Sequence, residues 1–150
     1  MYDLIIFLVL LSLGYGVGQY AERRHYRSII EREGRLNALP AIASRYPPIE
    51  PQYDQALVIG STVVSVDYFK RFLAALRNLF GGRVTAYESL LDRARREALL
   101  RMKQQAADLG AGMVFNVKYE TASISKGRGN TIGSVEVLAY GTALIEPRAK

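Results

Sequence analysis

The sequence predicts an α+β domain carried behind one transmembrane helix, its elements in the order β-α-α-β-β. Three observations support this. An uncharged apolar run fills residues 4–18, a helix with clear start and stop signals opens at Thr85, and two alternating runs near the C-terminus flank a glycine-rich loop.

The apolar run reads LIIFLVLLSLGYGVG and is extended by Gln19 and Tyr20. About 17 residues at the helical rise span roughly 25 Å, the short end of what a hydrocarbon core requires. Tyr2, Tyr15 and Tyr20 lie near its ends, where amphipathic rings favour the interface. A cleaved signal peptide would need a positive n-region, yet only Asp3 is charged ahead of the run, and no small-x-small cleavage site precedes a turn. Residues 1–20 are therefore expected to be an anchor. Arg23, Arg24 and Arg27 follow at once, so the positive-inside rule predicts a single-pass inner-membrane topology with the N-terminus out and the domain in the cytoplasm. Gly14 and Gly18 form a G-x-x-x-G pair, which either lets two helices pack closely or reflects the ordinary frequency of glycine in membrane helices.

Residues 21–37 contain no helix breaker except Gly34 and carry opposite charges at helical spacing, such as Arg27 and Glu31, so they read as a charged helical stalk. His25 belongs to its solvated surface. Residues 38–55 hold Pro40, Pro47, Pro48 and Pro51, which predicts an extended linker with one edge strand around 41–46.

The domain is expected over 56–147. ALVIGSTVVSV (56–66) is rich in β-branched residues and predicts a buried strand, interrupted at Gly60. Phe69, Phe72, Leu73, Leu76 and Phe80 share one face of an amphipathic helix over 67–80, which Gly81-Gly82 ends. Thr85-Ala-Tyr-Glu88 is a capping box that starts a second helix. Its apolar positions are Leu91, Ala94, Ala98, Met102, Ala106 and Leu109, Gly110 terminates it, and Arg93, Arg96, Arg101 and Lys103 form an exposed basic stripe. In 113–121, Met113, Phe115, Val117 and Tyr119 alternate with Asn116, Lys118 and Glu120, as in a half-buried strand. Residues 125–133 read as a hairpin loop. In the returning strand, 134–146, Val135, Val137, Ala139 and Ala143 alternate with Glu136 and Thr142, while Leu138, Tyr140 and Leu144 fall on the nominally polar face. Three strands and two helices cover one sheet face and leave the edges bare, for which self-association is the simplest remedy.

Composition narrows the chemistry. There is no cysteine, so disulfides, thiolate metal sites and a cysteine nucleophile are excluded; one histidine is too few for an imidazole-rich centre. No Ser/His/Asp set, H-E-x-x-H or dinucleotide fingerprint is present, and an enzyme is not expected. Lys126-Gly-Arg-Gly129 could cradle a phosphate, but it lacks the P-loop spacing and reads as a hairpin loop. The net charge of +6 sits wholly in residues 56–150, where 14 basic residues face 8 acidic ones. Near a bilayer such a domain is drawn to anionic headgroups, so membrane lipid is an expected partner. Nucleic acid is not, since no nucleic-acid motif accompanies the charge.

Gly81-Gly82-Arg83 with Tyr87-Glu88, Ala107-Asp-Leu-Gly-Ala111, Val117-Lys-Tyr-Glu-Thr121 and Gly141-Thr-Ala143 occur in an order and spacing that resemble the YbjQ family, described as heavy-metal-binding domains. The resemblance runs from about Ala56 to Ile145; the segment GSTVVSVDYF is shorter than the family's usual entry to the first helix. It implies a homopentameric ring and a metal. Glu88 and Asp92, four apart on one helix face, are the oxygen ligands a divalent cation would find, although the capping box already accounts for Glu88. Asp67 is the remaining carboxylate near the motif. Arg83 and Tyr87 are the candidates for an oligomer or ligand interface. The expected function is a membrane-anchored, non-enzymatic oligomer whose cytoplasmic domain binds a metal, a ligand or a protein partner. The alternative is a scaffold that organises partner proteins or lipid without metal.

Overall fold

In the computed structural model, residues 2–47, 53–65, 85–126 and 132–147 are described, without the side chains of 3, 65, 85–90, 125–126 and 132–133. The helix expected at 67–80 lies outside the described residues. The chain divides into two units, residues 1–35 and 36–150.

The first unit is one helix, α1 (Tyr2–Arg35), uninterrupted over 34 residues and therefore about 51 Å long. Neither the glycines at 14, 16 and 18 nor Gly34 breaks it. Its apolar half is exposed throughout, and it is long and apolar enough to cross a bilayer.

In the second unit, β1 (Asp54–Ser65), β2 (Ala111–Lys126) and β3 (Ile132–Ile145) form a sheet in the order β1-β3-β2, with β3 antiparallel to both neighbours. Helix α2 (Thr85–Asp108) lies on one face. It opens at the predicted capping box. Gly110 closes it with φ +74°, a conformation glycine adopts without steric cost, and its amide donates to the Ala107 carbonyl (2.9 Å). Leu109, expected on the apolar stripe, falls past the helix end and is exposed.

The core forms where Ala94, Ala98, Met102 and Ala106 of α2 meet Val58, Val137, Ala139, Ala143 and Val114 of the sheet. The four-residue spacing of one set and the two-residue spacing of the other are the periods of helix and strand. Small residues on α2 bring its axis close to β1. A Cβ built on Gly60 would overlap the Ala98 carbonyl oxygen and the Met102 amide, and would lie 2.9 Å from the Arg101 Cβ. Gly60 therefore does not interrupt β1, which continues to Ser65; it is the contact point on which α2 rests.

The alternation expected for residues 113–121 fails at one residue. Phe115 pairs with Thr142, but the next partner of β3 at Tyr140 is Lys118, so Asn116 and Val117 together oppose Gly141. Asn116 takes φ 52°, in the left-handed region that asparagine tolerates better than most residues. This bulge reverses the side-chain parity. Val114 and Val117 both meet the core, whereas Met113 and Phe115 fall on the face away from α2. The bulged strand presses on β3. A Cβ at Gly141 would be 2.8 Å from Val114 Cγ1 and 3.0 Å from the Phe115 carbonyl oxygen.

The proline-rich stretch contributes an edge, as its extended character predicts. Residues 40–44 lie parallel to β2. The Ile42 amide donates to the Val114 carbonyl and the Val114 amide to Pro40 (both 2.9 Å). The two bulge residues turn outward as well, with the Asn116 amide donating to Ser44 (2.9 Å) and the Val117 amide to Ile42 (3.0 Å). A bulge leaves amides without a ladder partner, and here the added strand accepts them.

Candidate functional site

Of the carboxylates proposed from the sequence, only Asp92 has a described side chain. Glu88 and Asp92 both lie in α2, one turn apart, but the Glu88 side chain is outside the described residues. The Asp92 side chain is 75% exposed and faces Arg95, with Nη1 at 3.8 Å from its carboxylate. A cation held there would have to displace the arginine and would keep most of its water. Among the described residues no group of three or more histidine, cysteine or acidic side chains could hold a metal ion. A heavy-metal centre of thiolate or clustered imidazole donors does not fit this chain, which has no cysteine and whose only histidine, His25, lies in α1. Asp67, Arg83 and residues 127–130 of the glycine-rich loop are outside the described residues, as is the Tyr87 side chain.

The basic stripe foreseen on α2 is not a free cationic surface. Arg93, Arg96 and Lys103 are half-buried and engaged, and Arg95 faces Asp92. Arg101 donates from Nε to the Glu97 carboxylate (3.0 Å) and from Nη1 to the Ser61 carbonyl (2.7 Å). Glu97 is the one buried charged residue among those described, and the guanidinium partners its carboxylate. Tyr119, beyond the bulge, is 43% exposed. Partial burial pushes its hydroxyl above the usual tyrosine range, and the positive charge of Arg95 opposes the shift.

The face of the sheet away from α2 is the surface that stands out. Leu57, Ile59 and Val63 of β1 alternate with the buried Val58 and Gly60 and are 63%, 45% and 55% exposed. Tyr140 lies opposite Ile59, and Leu138 opposite Ser61, both half-buried. Leu138 and Tyr140, expected on a polar face, thus join an apolar patch. In the sequence the patch shows only as a lapse in alternation; the pairing of Tyr140 with Ile59 is what joins it to β1. At Gly14 and Gly18 a Cβ would meet nothing within 4 Å, so the space beside both glycines of α1 is open.

Residues 50–146 match the model of a family described as "Putative heavy-metal-binding", YbjQ. A UPF0145 protein of Hahella chejuensis is 44% identical over 89 residues, covering 59% of this chain and 80% of that one. A UPF0145 protein of Thermus thermophilus is 44% identical over 92 residues, 61% of this chain and 75% of its own. A UPF0145 protein of the archaeon Saccharolobus solfataricus is 38% identical over 91 residues, again 61% and 75%. A solved structure, a protein of unknown function from Pediococcus pentosaceus, aligns with TM-score 0.47 and 14% identity over 71% of this chain and 96% of its own. Helix α1 lies outside the family match. With α2, the bulged β2 and the returning β3 all inside the matched span, the chain belongs to the YbjQ family, also written UPF0145.

Proposed function

We propose that this protein is a membrane-tethered, non-enzymatic scaffold whose domains associate with copies of themselves through the apolar sheet face. The observation that carries the reading is the patch of Leu57, Ile59, Val63, Leu138 and Tyr140, which leaves large apolar side chains in water on a folded domain. The exposed apolar half of α1 supports the tether, and Arg23, Arg24 and Arg27 support a cytoplasmic domain. Several anchors gathered under one assembly give Gly14 and Gly18 a neighbour to pack against. The ring of five implied by the family resemblance is one closed arrangement that would bury such a face, and Arg83 and Tyr87 are its further candidates.

The test is the native mass and elemental content of the detergent-extracted protein. A single defined oligomer that I59K/V63K converts to monomers is the expected result. Wild-type monomers at micromolar concentration would refute the self-association. The second reading, metal binding at Glu88 and Asp92, rests on the family's description. It predicts stoichiometric divalent metal that E88Q/D92N removes, and a metal-free oligomer that keeps its fold in chelator counts against it.

A further inference from the structure

Residues 59–61 of β1 form an edge of the sheet, and every second residue of an edge strand points its amide and carbonyl away from the neighbouring strand. Ile59 and Ser61 are two such residues. Both outward groups are occupied from α2: the Ile59 amide donates to Gln105 Oε1 (2.7 Å), and Arg101 Nη1 donates to the Ser61 carbonyl (2.7 Å). Gly60, between them, is the residue on which the α2 backbone rests.

The occupation follows from helix geometry. Glu97, Arg101 and Gln105 are spaced four apart, so they form one stripe alongside the buried stripe of Ala94, Ala98, Met102 and Ala106. The stripe runs along β1 because Gly60 lets the helix approach. Glu97 takes Nε of Arg101, which fixes the guanidinium plane and leaves Nη1 directed at the strand. Gln105 can accept from an amide and Arg101 can only donate, so each matches the backbone group it meets.

We propose that Arg101 and Gln105 are an edge guard: they occupy the outward backbone groups of β1 and close this edge to strand addition by a second copy of the chain. The device is needed here because β1 is 12 residues long, is rich in β-branched residues, and has exposed apolar side chains at Leu57, Ile59 and Val63. The guard stands apart from the proposed face-to-face association, which it leaves open while blocking edge-to-edge growth.

The test uses the full chain in detergent micelles and three variants, Q105A, Q105K and R101A/Q105A. Hydrogen exchange reads the Ile59 amide, and sedimentation velocity reads assemblies larger than the wild type. In Q105A the Ile59 amide should exchange about tenfold faster, the effect of losing roughly one net hydrogen bond. R101A/Q105A should form larger assemblies that increase with protein concentration. Q105K should show the faster exchange without the larger assemblies, because a lysine at an open edge repels a second copy. Unchanged Ile59 exchange in Q105A overturns the proposal, even if the double variant fails to fold. Wild-type assembly in a folded double variant also overturns it. So does equal assembly by Q105K, since that would trace association to lost stability rather than to an open edge.

Discussion

Replacing Gly60 by alanine tests the packing of the domain at its tightest point. The added Cβ would overlap the Ala98 carbonyl oxygen and the Met102 amide, which are backbone atoms and cannot rotate away. Even the Arg101 Cβ, at 2.9 Å, is about half an ångström inside ordinary contact. The helix must therefore retreat by about 1 Å, and Ala94, Ala98, Met102 and Ala106 lose contact with the sheet together. Overpacking of this kind costs about 1–3 kcal/mol, and the shared displacement of four buried side chains puts the expectation at about 3 kcal/mol. Alanine's lower unfolded-state entropy returns less than about 1 kcal/mol. Denaturant unfolding of G60A, followed by circular dichroism, should show a midpoint well below wild type. Gly112, where a Cβ meets nothing within 4 Å, supplies the control G112A, expected near wild type. If G60A unfolded within about 0.5 kcal/mol of wild type, the close approach of α2 to β1 would be refuted.

Three further outcomes are expected. Truncation of Met102, fully buried in the core, should cost about 2–5 kcal/mol in the same unfolding assay. G110A forces a side chain into φ +74° and should cost about 1 kcal/mol, although nothing crowds the site sterically. Tyr119 gives a pH dependence: its folded pKa is raised above 10.0, so the native state holds the phenolic proton more tightly. The stability this contributes is complete below pH 10 and is lost as pH rises through the folded value; Y119F should flatten that alkaline slope.

Elements whose signal is local were legible before the structure. The α2 start at Thr85 and its stop at Gly110 follow from caps, and the buried set Val135, Val137, Ala139 and Ala143 follows from alternation. The edge strand near residue 41 followed from proline chemistry. What escaped depends on contacts between distant segments. Gly60 looked like an interruption because its partner, α2, lies about forty residues away along the chain. The bulge at Asn116 is set by where its amide and that of Val117 find acceptors, at Ser44 and Ile42, and no pattern within β2 announces it. Leu138 and Tyr140 stand out in the sequence as apolar residues on a polar face, but the patch they belong to exists only once β1 is in register with β3. Helical spacing puts Glu88 and Asp92 one turn apart in α2, but spacing along one helix says nothing of which ligands other segments would bring.

The short passage from α1 into the sheet has a mechanical consequence. Helix α1 ends at Arg35, the Leu39 amide closes a turn on the Leu36 carbonyl (3.2 Å), and Pro40 already accepts from Val114. Along the chain from α1, residues 40–44 and their four hydrogen bonds to β2 come ahead of β1 and α2. Those four bonds close around the bulge, so a pull that peels them away would strand the Asn116 and Val117 amides without acceptors. A pull carried along the chain would load these four bonds before the packing of α2 on β1 and β3.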